Sequence, residues 1–226
     1  MTNGVLDFYF DFISPYAYLA WRNPRNGPRA VAARHGMTLR VRPIFFAAIL
    51  DKLGQLGPAE IPSKRAFTIK DVLRHAAVEA IPMTFAVSHP FNPLALLRLA
   101  LPEVCGEKQA EVIDALFVAV WGDGKDVQSK DMLHEALTGA GLDADTLLAR
   151  AAEDDVKATL RRETEEAMAQ GVFGVPTFMA RGELFWGSDR VADLERFLEG
   201  RDPLDQALAA SIVARPLTMT RPGSRR

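Results

Sequence analysis

The opening 44 residues constrain the fold most, because they read as strand, helix and strand in quick succession. Residues 5–10, VLDFYF, place Leu6, Phe8 and Phe10 on one face and Val5, Asp7 and Tyr9 on the other. Both sets are largely apolar, so the pattern predicts a strand covered on both sides. Ser14 then offers a good N-cap and Pro15 a good first helical residue, which predicts a helix over 15–21. Pro24 and Pro28 interrupt it, and a second helical piece over 29–35 stops at Gly36. In TLRVRPI, residues 38–44, Leu39 and Val41 alternate with Arg40 and Arg42, the mark of another strand. The three together make a βαβ unit, whose crossover is expected to be right-handed.

GQLGPAEIPSKR, residues 54–65, reads as a Gly/Pro-rich loop, and from 67 to 170 the pattern is helical almost throughout. Val112, Ile113, Leu116, Phe117 and Val120 form one stripe for burial. Ser129, Asp143 and Asp154 stand where N-caps are expected, and Gly171 closes the last long helix. Short strands are predicted at 177–180 and 183–186 around an Arg181-Gly182 turn, then an amphipathic helix from Asp189 to Leu198. The implied architecture is α/β: a thioredoxin-like fold with an all-helical domain inserted between an N-terminal βαβ and a C-terminal ββα unit. The expected division is residues 1–50 and 171–200 for the thioredoxin-like part and 51–170 for the helical insertion. Residues 201–226 form a loosely ordered tail.

With 226 residues, 48% of them hydrophobic, the chain can bury a full core unaided. Its 27 positive and 29 negative side chains leave a formal charge of −2, which argues against a dedicated nucleic-acid binder and for a small-molecule partner. Cys105 stands alone, so no intramolecular disulfide can form. It follows a helix and precedes Gly106, as a buried structural thiol would. His35, His75, His89 and His134 are dispersed without zinc-motif spacing, so no metal site is expected. No apolar run approaches the ~18 residues of a membrane span, and the N-terminus lacks a signal-peptide pattern. A soluble cytoplasmic protein is the expectation.

Three segments carry the chemistry. Ser14-Pro15-Tyr16-Ala17 lies at the first strand–helix junction, where unpaired backbone N–H groups gather. A disulfide-exchange centre needs two thiols one helical turn apart; a hydroxyl and a methyl exclude that chemistry. Ser14 can still donate to a thiolate carried in by a ligand, aided by the helix dipole. An ordinary helix start fits the same letters. A serine hydrolase does not, since no GxSxG elbow is present. In GVFGVPTF, residues 171–178, Pro176 is a candidate cis-proline that would turn the backbone of Val175 towards an extended peptide-like ligand. A strand-initiating proline is the alternative. In FWGSDR, residues 185–190, Ser188 or Asp189 would cap the last helix, where a carboxylate and an ammonium on one carbon would both be met. A plain cap is again the alternative. Tyr16, Phe45, Phe46 and Trp186 either line an apolar pocket or pack in the core.

FYFDFISPYAYLA, AVWGDG, GVFGVPTF and FWGSDR, in that order, resemble the 2-hydroxychromene-2-carboxylate isomerase family. That family is related to the kappa-class glutathione transferases and the DsbA-like thioredoxin-fold oxidoreductases, and the resemblance extends over residues 5–200. It implies a glutathione cofactor and a homodimer. Ser14 matches the catalytic serine that stabilises the glutathione thiolate. Val175 matches the residue whose backbone pairs with the cysteinyl part, Pro176 the cis-proline, and the Gly187, Ser188 and Asp189 segment the γ-glutamyl site. Lys64 resembles a basic residue near the glycyl carboxylate, although Lys64 and Arg65 also read as a solvated pair. That loop offers Gln55 and Glu60 where such families place an asparagine. The implied reaction is reversible thiolate addition to a conjugated aromatic-derived acid, bond rotation and elimination. Lowering a thiol pKa by ~2 units needs about 2.7 kcal/mol of preferential stabilisation, within reach of one charge-assisted hydrogen bond and a helix terminus. A kappa-like transferase or peroxidase, and a non-catalytic thiol-peptide binding module, are the alternatives.

Overall fold

The computed structural model describes residues 4–127 and 129–216. Strand β1 (Val5–Phe10) leads through helices α1 (Pro15–Arg22) and α2 (Pro28–Arg34) to β2 (Thr38–Pro43). After α3 (Phe46–Leu53) and α4 (Pro62–Val78), the helical block continues as α5 (Leu94–Leu99), α6 (Pro102–Cys105), α7 (Gln109–Phe117), α8 (Lys130–Gly139), α9 (Ala144–Ala151) and α10 (Asp154–Ala169). The chain returns as β3 (Thr177–Ala180), β4 (Glu183–Trp186), α11 (Val191–Leu198) and α12 (Gln206–Val213). The sheet order is β2-β1-β3-β4, with β1 and β2 parallel and the other pairs antiparallel. This is the thioredoxin-like fold with helices inserted between its halves. Arg181 (φ 52°) and Gly182 (φ 83°) make the hairpin turn, both in the left-handed region that a two-residue loop demands.

The first strand is buried on both faces, as its composition predicts. Leu6, Phe8 and Phe10 join Phe178, Trp21 and the α11 residues Val191, Leu194 and Leu198 in a core that runs on into the helical block. Phe117 of α7 is the plug between the two parts, with ring centroids 5.5 Å from Phe10, 4.6 Å from Phe12 and 5.9 Å from Tyr18. On the opposite face Tyr9 and Met179 pack with Ile44, Ile49, Ala167 and Val175. Helix α10 lies in the stretch expected to be insertion, yet it covers this face of the sheet. It also neutralises buried Arg42, whose guanidinium donates to Glu163 at 2.5 Å and Glu166 at 2.9 Å.

Several local expectations are corrected. The loop at 54–65 ends at Ile61, because Pro62 opens α4 and puts Lys64 in its first turn. Residues 79–93 are irregular rather than helical, which follows from Pro82, Pro90 and Pro93. Asp154 is the first helical residue after an N-cap at Glu153, whereas Ser129 and Asp143 do cap, accepting from Met132 N–H and Thr146 N–H. The last sheet-packed helix starts at Val191 with Arg190 at the cap position, so neither Ser188 nor Asp189 caps it. The tail carries α12, which the Asp205 side chain caps through Leu208 N–H and whose QALAASIV sequence favours helix despite being wholly unburied. Residues 217–226 of the expected tail lie outside the described residues.

Candidate active site

The end of β1 is a turn in which each backbone carbonyl has its own partner. Asp11 C=O accepts from Ser14 N–H at 3.1 Å, and Phe12 C=O from the indole N–H of Trp121 at 2.8 Å. The Ile13 carbonyl lies 3.0 Å from His89 Nε2. The Asp11 side chain, fully buried, accepts from Ile13 N–H at 3.0 Å and from Phe46 N–H, the first residue of α3, at 2.9 Å. Burial pushes its carboxyl up to about 7, against the pull of those two backbone donors. His89 follows the opposite sign: burial lowers its pKa, and its buried Nδ1 has no partner among the described residues.

This turn delivers Ser14 to the N-terminus of α1. Its Oγ accepts from Ala17 N–H at 3.2 Å, as a capping serine should, and donates to the Val175 carbonyl at 3.4 Å. Val175 precedes Pro176 across a cis peptide bond, so the expected cis-proline is present. The expectation that both backbone groups of Val175 turn outward is half corrected. Its carbonyl is engaged by Ser14, and only its N–H lacks a partner among the described residues. Pro176 C=O in turn accepts from Gly187 N–H at 2.9 Å. Gly187 adopts φ 117°, and a Cβ there would meet Asp189 Oδ1 at 2.5 Å, so the 187–189 turn needs glycine.

The sequence-expected residues therefore form a row: Ser14 contacts Val175, and Pro176 contacts Gly187. Asp189, exposed, is paired at 2.9 Å with Arg190. The Ser188 hydroxyl has no partner among the described residues. Lys64 stands apart from this row. It lines a groove of about 360 Å³ with Tyr16, Ser63, Phe67 and Thr68. Tyr16 connects the two parts, since its hydroxyl donates to Asp71 of α4 at 2.8 Å. Burial, Asp71 and more distantly Asp189 all raise its pKa. A second cavity, of about 580 Å³, opens beside the turn and is lined by Asp11, Ile13, Phe45, Phe91 and Leu94 among others. Of the candidate aromatics, Phe45 thus lines a cavity, Phe46 packs in the core and Trp186 is half exposed against Phe173. Cys105 is buried and donates to Leu101 C=O at 3.0 Å, and burial pushes its thiol up to about 12.

Asp11, His89 and Trp121 were not named as site residues from the sequence, although Asp11 and Trp121 lie in the FYFDFISPYAYLA and AVWGDG segments. The available signal was an acid set among aromatics in FYFDFI, a place where a carboxylate survives only with donors around it. Among the described residues no cluster of three or more His, Cys, Asp or Glu suits a metal ion. None of their helices is long and apolar enough to cross a membrane.

The model of the DsbA-like thioredoxin domain matches residues 5–199. A 2-hydroxychromene-2-carboxylate isomerase of Sphingobium xenophagum is 32% identical over 196 residues, covering 85% of this chain and 97% of that protein. Glutathione S-transferase kappa 1 of Rattus norvegicus is 25% identical over 209 residues, covering 83% of this chain and 87% of the other. Among solved structures, a 2-hydroxychromene-2-carboxylate isomerase superposes with a TM-score of 0.76 at 26% identity, over 93% of this chain and all of the other. The chain belongs to the DsbA-like thioredoxin-domain family and, within it, to the 2-hydroxychromene-2-carboxylate isomerase family.

Proposed function

We propose that the protein is a glutathione-dependent isomerase acting on 2-hydroxychromene-2-carboxylate or a similar conjugated aromatic-derived acid, working in the cytoplasm as a homodimer. The observation that carries this reading is the Ser14 hydroxyl, held at a helix N-terminus 3.4 Å from the Val175 carbonyl beside cis-Pro176. The site fits glutathione on two counts: among the described residues neither the Val175 N–H nor the Ser188 hydroxyl has a partner, so both are available to an extended peptide-like ligand. Val175 and Pro176 would hold the cysteinyl part, Gly187, Ser188 and Asp189 the γ-glutamyl head, and Lys64 the glycyl carboxylate. Bound glutathione supplies a thiolate able to add to a conjugated carbon and leave again, so that a former double bond can rotate. By turning its single O–H from the Val175 carbonyl, held at a long 3.4 Å, Ser14 would supply a hydrogen bond that favours the anionic sulfur, and the α1 terminus adds its positive end. The cavity of about 580 Å³ provides apolar room for a fused-ring acid beside the same turn.

Ser14→Ala tests the reading. Losing the cap costs the fold about 1 kcal/mol, whereas turnover with glutathione is expected to fall about 10²-fold or more, as for loss of one preorganised donor. Equal, small losses of stability and turnover would leave Ser14 a structural cap. The similarity to a kappa transferase keeps a second reading, stable conjugation of glutathione to an electrophile. Isomerisation regenerates glutathione, and conjugation consumes it, so following free thiol during turnover separates the two.

A further inference from the structure

We propose that Asp11 is a positioning residue for Ser14, whose ionised carboxylate ties the turn before the serine to the opening amide of α3, and whose protonation loosens one of those ties. The proposal rests on the reading of Ser14 as the donor to a glutathione thiolate. Its own basis is geometric. Asp11 is fully buried, and its two oxygens are each given to a different backbone N–H, one on Ile13 and one on Phe46. Its main-chain carbonyl accepts from Ser14 N–H. One residue thus fixes the amide plane on each side of Ile13 and joins the β1–α1 turn to the β2–α3 turn. A carboxylate accepts strongly from both amides; in the carboxylic acid the hydroxyl oxygen keeps only weaker acceptor capacity beside its own proton, so the bond from that amide loosens.

The surroundings of Asp11 make this tie a single switch. Among the described residues no acidic or basic side chain is hydrogen-bonded or ion-paired to it, and its ionisation is governed by burial and the two amides. From α3 and the preceding turn the cavity presents Phe45 and Ala47, and from the irregular segment Ser88, Phe91 and Asn92. The titratable groups of that segment are Glu79, which pairs with Arg25 at 3.5 Å, and His89, which meets the Ile13 carbonyl rather than the carboxylate and itself senses Arg65. Arg42 of β2 is taken up by Glu163 and Glu166. Tyr16 of α1 points to Asp71.

Two measurements test the proposal. In the ligand-free protein, the amide shifts of Ile13 and Phe46 are followed by NMR with the carboxyl carbon of Asp11 between about pH 5 and pH 9, a range that brackets a carboxyl raised by burial. All three should titrate together, and in Asp11→Asn the two amides should be flat. Amides of the wild-type protein that ignore the Asp11 titration overturn the proposal, even if the variant fails to fold. The second measurement follows glutathione thiolate absorbance with each protein across the same range. Asp11→Asn should give about ten-fold less thiolate at the alkaline end, the worth of one charge-assisted hydrogen bond, and should show one proton dependence where the wild type shows two. Identical pH profiles for the two proteins overturn it. Absence of any thiolate gain in the wild type would defeat the Ser14 reading instead, and the amide titration would still decide whether Asp11 holds the turn.

Discussion

Two turns meet at the candidate site, and they are built in opposite ways. The turn from Asp11 to Ser14 is locked from outside: Trp121, after α7, and His89, in the irregular segment after α4, take its carbonyls, and Asp11 reaches across to α3. The turn from Gly187 to Arg190 is tied to the fold mainly through Gly187 N–H and the Pro176 carbonyl. Its charged side chains pair with each other in solvent, Asp189 and Arg190 being 59% and 54% exposed, where an ion pair contributes little. The difference matches the two tasks proposed for them. A group that stabilises developing or transferred charge must be held before the ligand arrives, whereas a head-group contact can be completed by the ligand itself at small cost to the fold.

The largest test of this contrast is the pH dependence that the locked turn brings. Asp11 keeps its proton in the folded protein up to about pH 7, against an ordinary aspartate value of 3.8. Its burial therefore favours the fold fully below the unfolded pKa, and that contribution is lost as pH rises through about 7. At 1.36 kcal/mol per unit the swing is on the order of 4 kcal/mol. Urea titrations at a series of pH values should show Asp11→Asn gaining stability relative to wild type as pH rises; parallel curves would mean that the carboxyl titrates normally. The same anion is proposed to position Ser14, so stability and activity pull in opposite directions at this residue.

Next in size is Trp121→Phe, which leaves the Phe12 carbonyl without its donor in a dry site. A loss of about 1–3 kcal/mol in urea unfolding is expected. A change below a few tenths would show that the turn holds without the helical block. Smallest is Asp189→Ala. Its side chain is exposed and paired only locally, so stability should stay within about 0.5 kcal/mol, while calorimetry should show weaker glutathione binding. If this variant unfolded as readily as Trp121→Phe, the two turns would not differ in kind.

Much of the frame was legible because local rules and final structure agree. Ser14 and Pro15 start α1, Gly36 follows α2, and Arg181-Gly182 turn the hairpin, since each depends on backbone geometry settled within a few residues. The alternation that marks β2 is correct, but it does not tell that Arg42 is buried. It is buried because Glu163 and Glu166 arrive from α10, more than a hundred residues later. The cap assigned to Ser188 or Asp189 failed for a related reason: Gly187 and the Pro176 carbonyl set that turn, and Asp189 folds back over the glycine.

By itself the sequence determined the order of strands and helices, the hydroxyl in place of a thiol at the head of α1, and the proline beside β3, because period, capping and side-chain chemistry are local properties. Only the tertiary structure decided that Ser14 faces Val175, that His89 and Trp121 hold the turn behind it, and that Asp11 is buried with its carboxyl between two amides. Those contacts join elements far apart in the chain, and their distances and burial arise only when the helical block closes on the sheet.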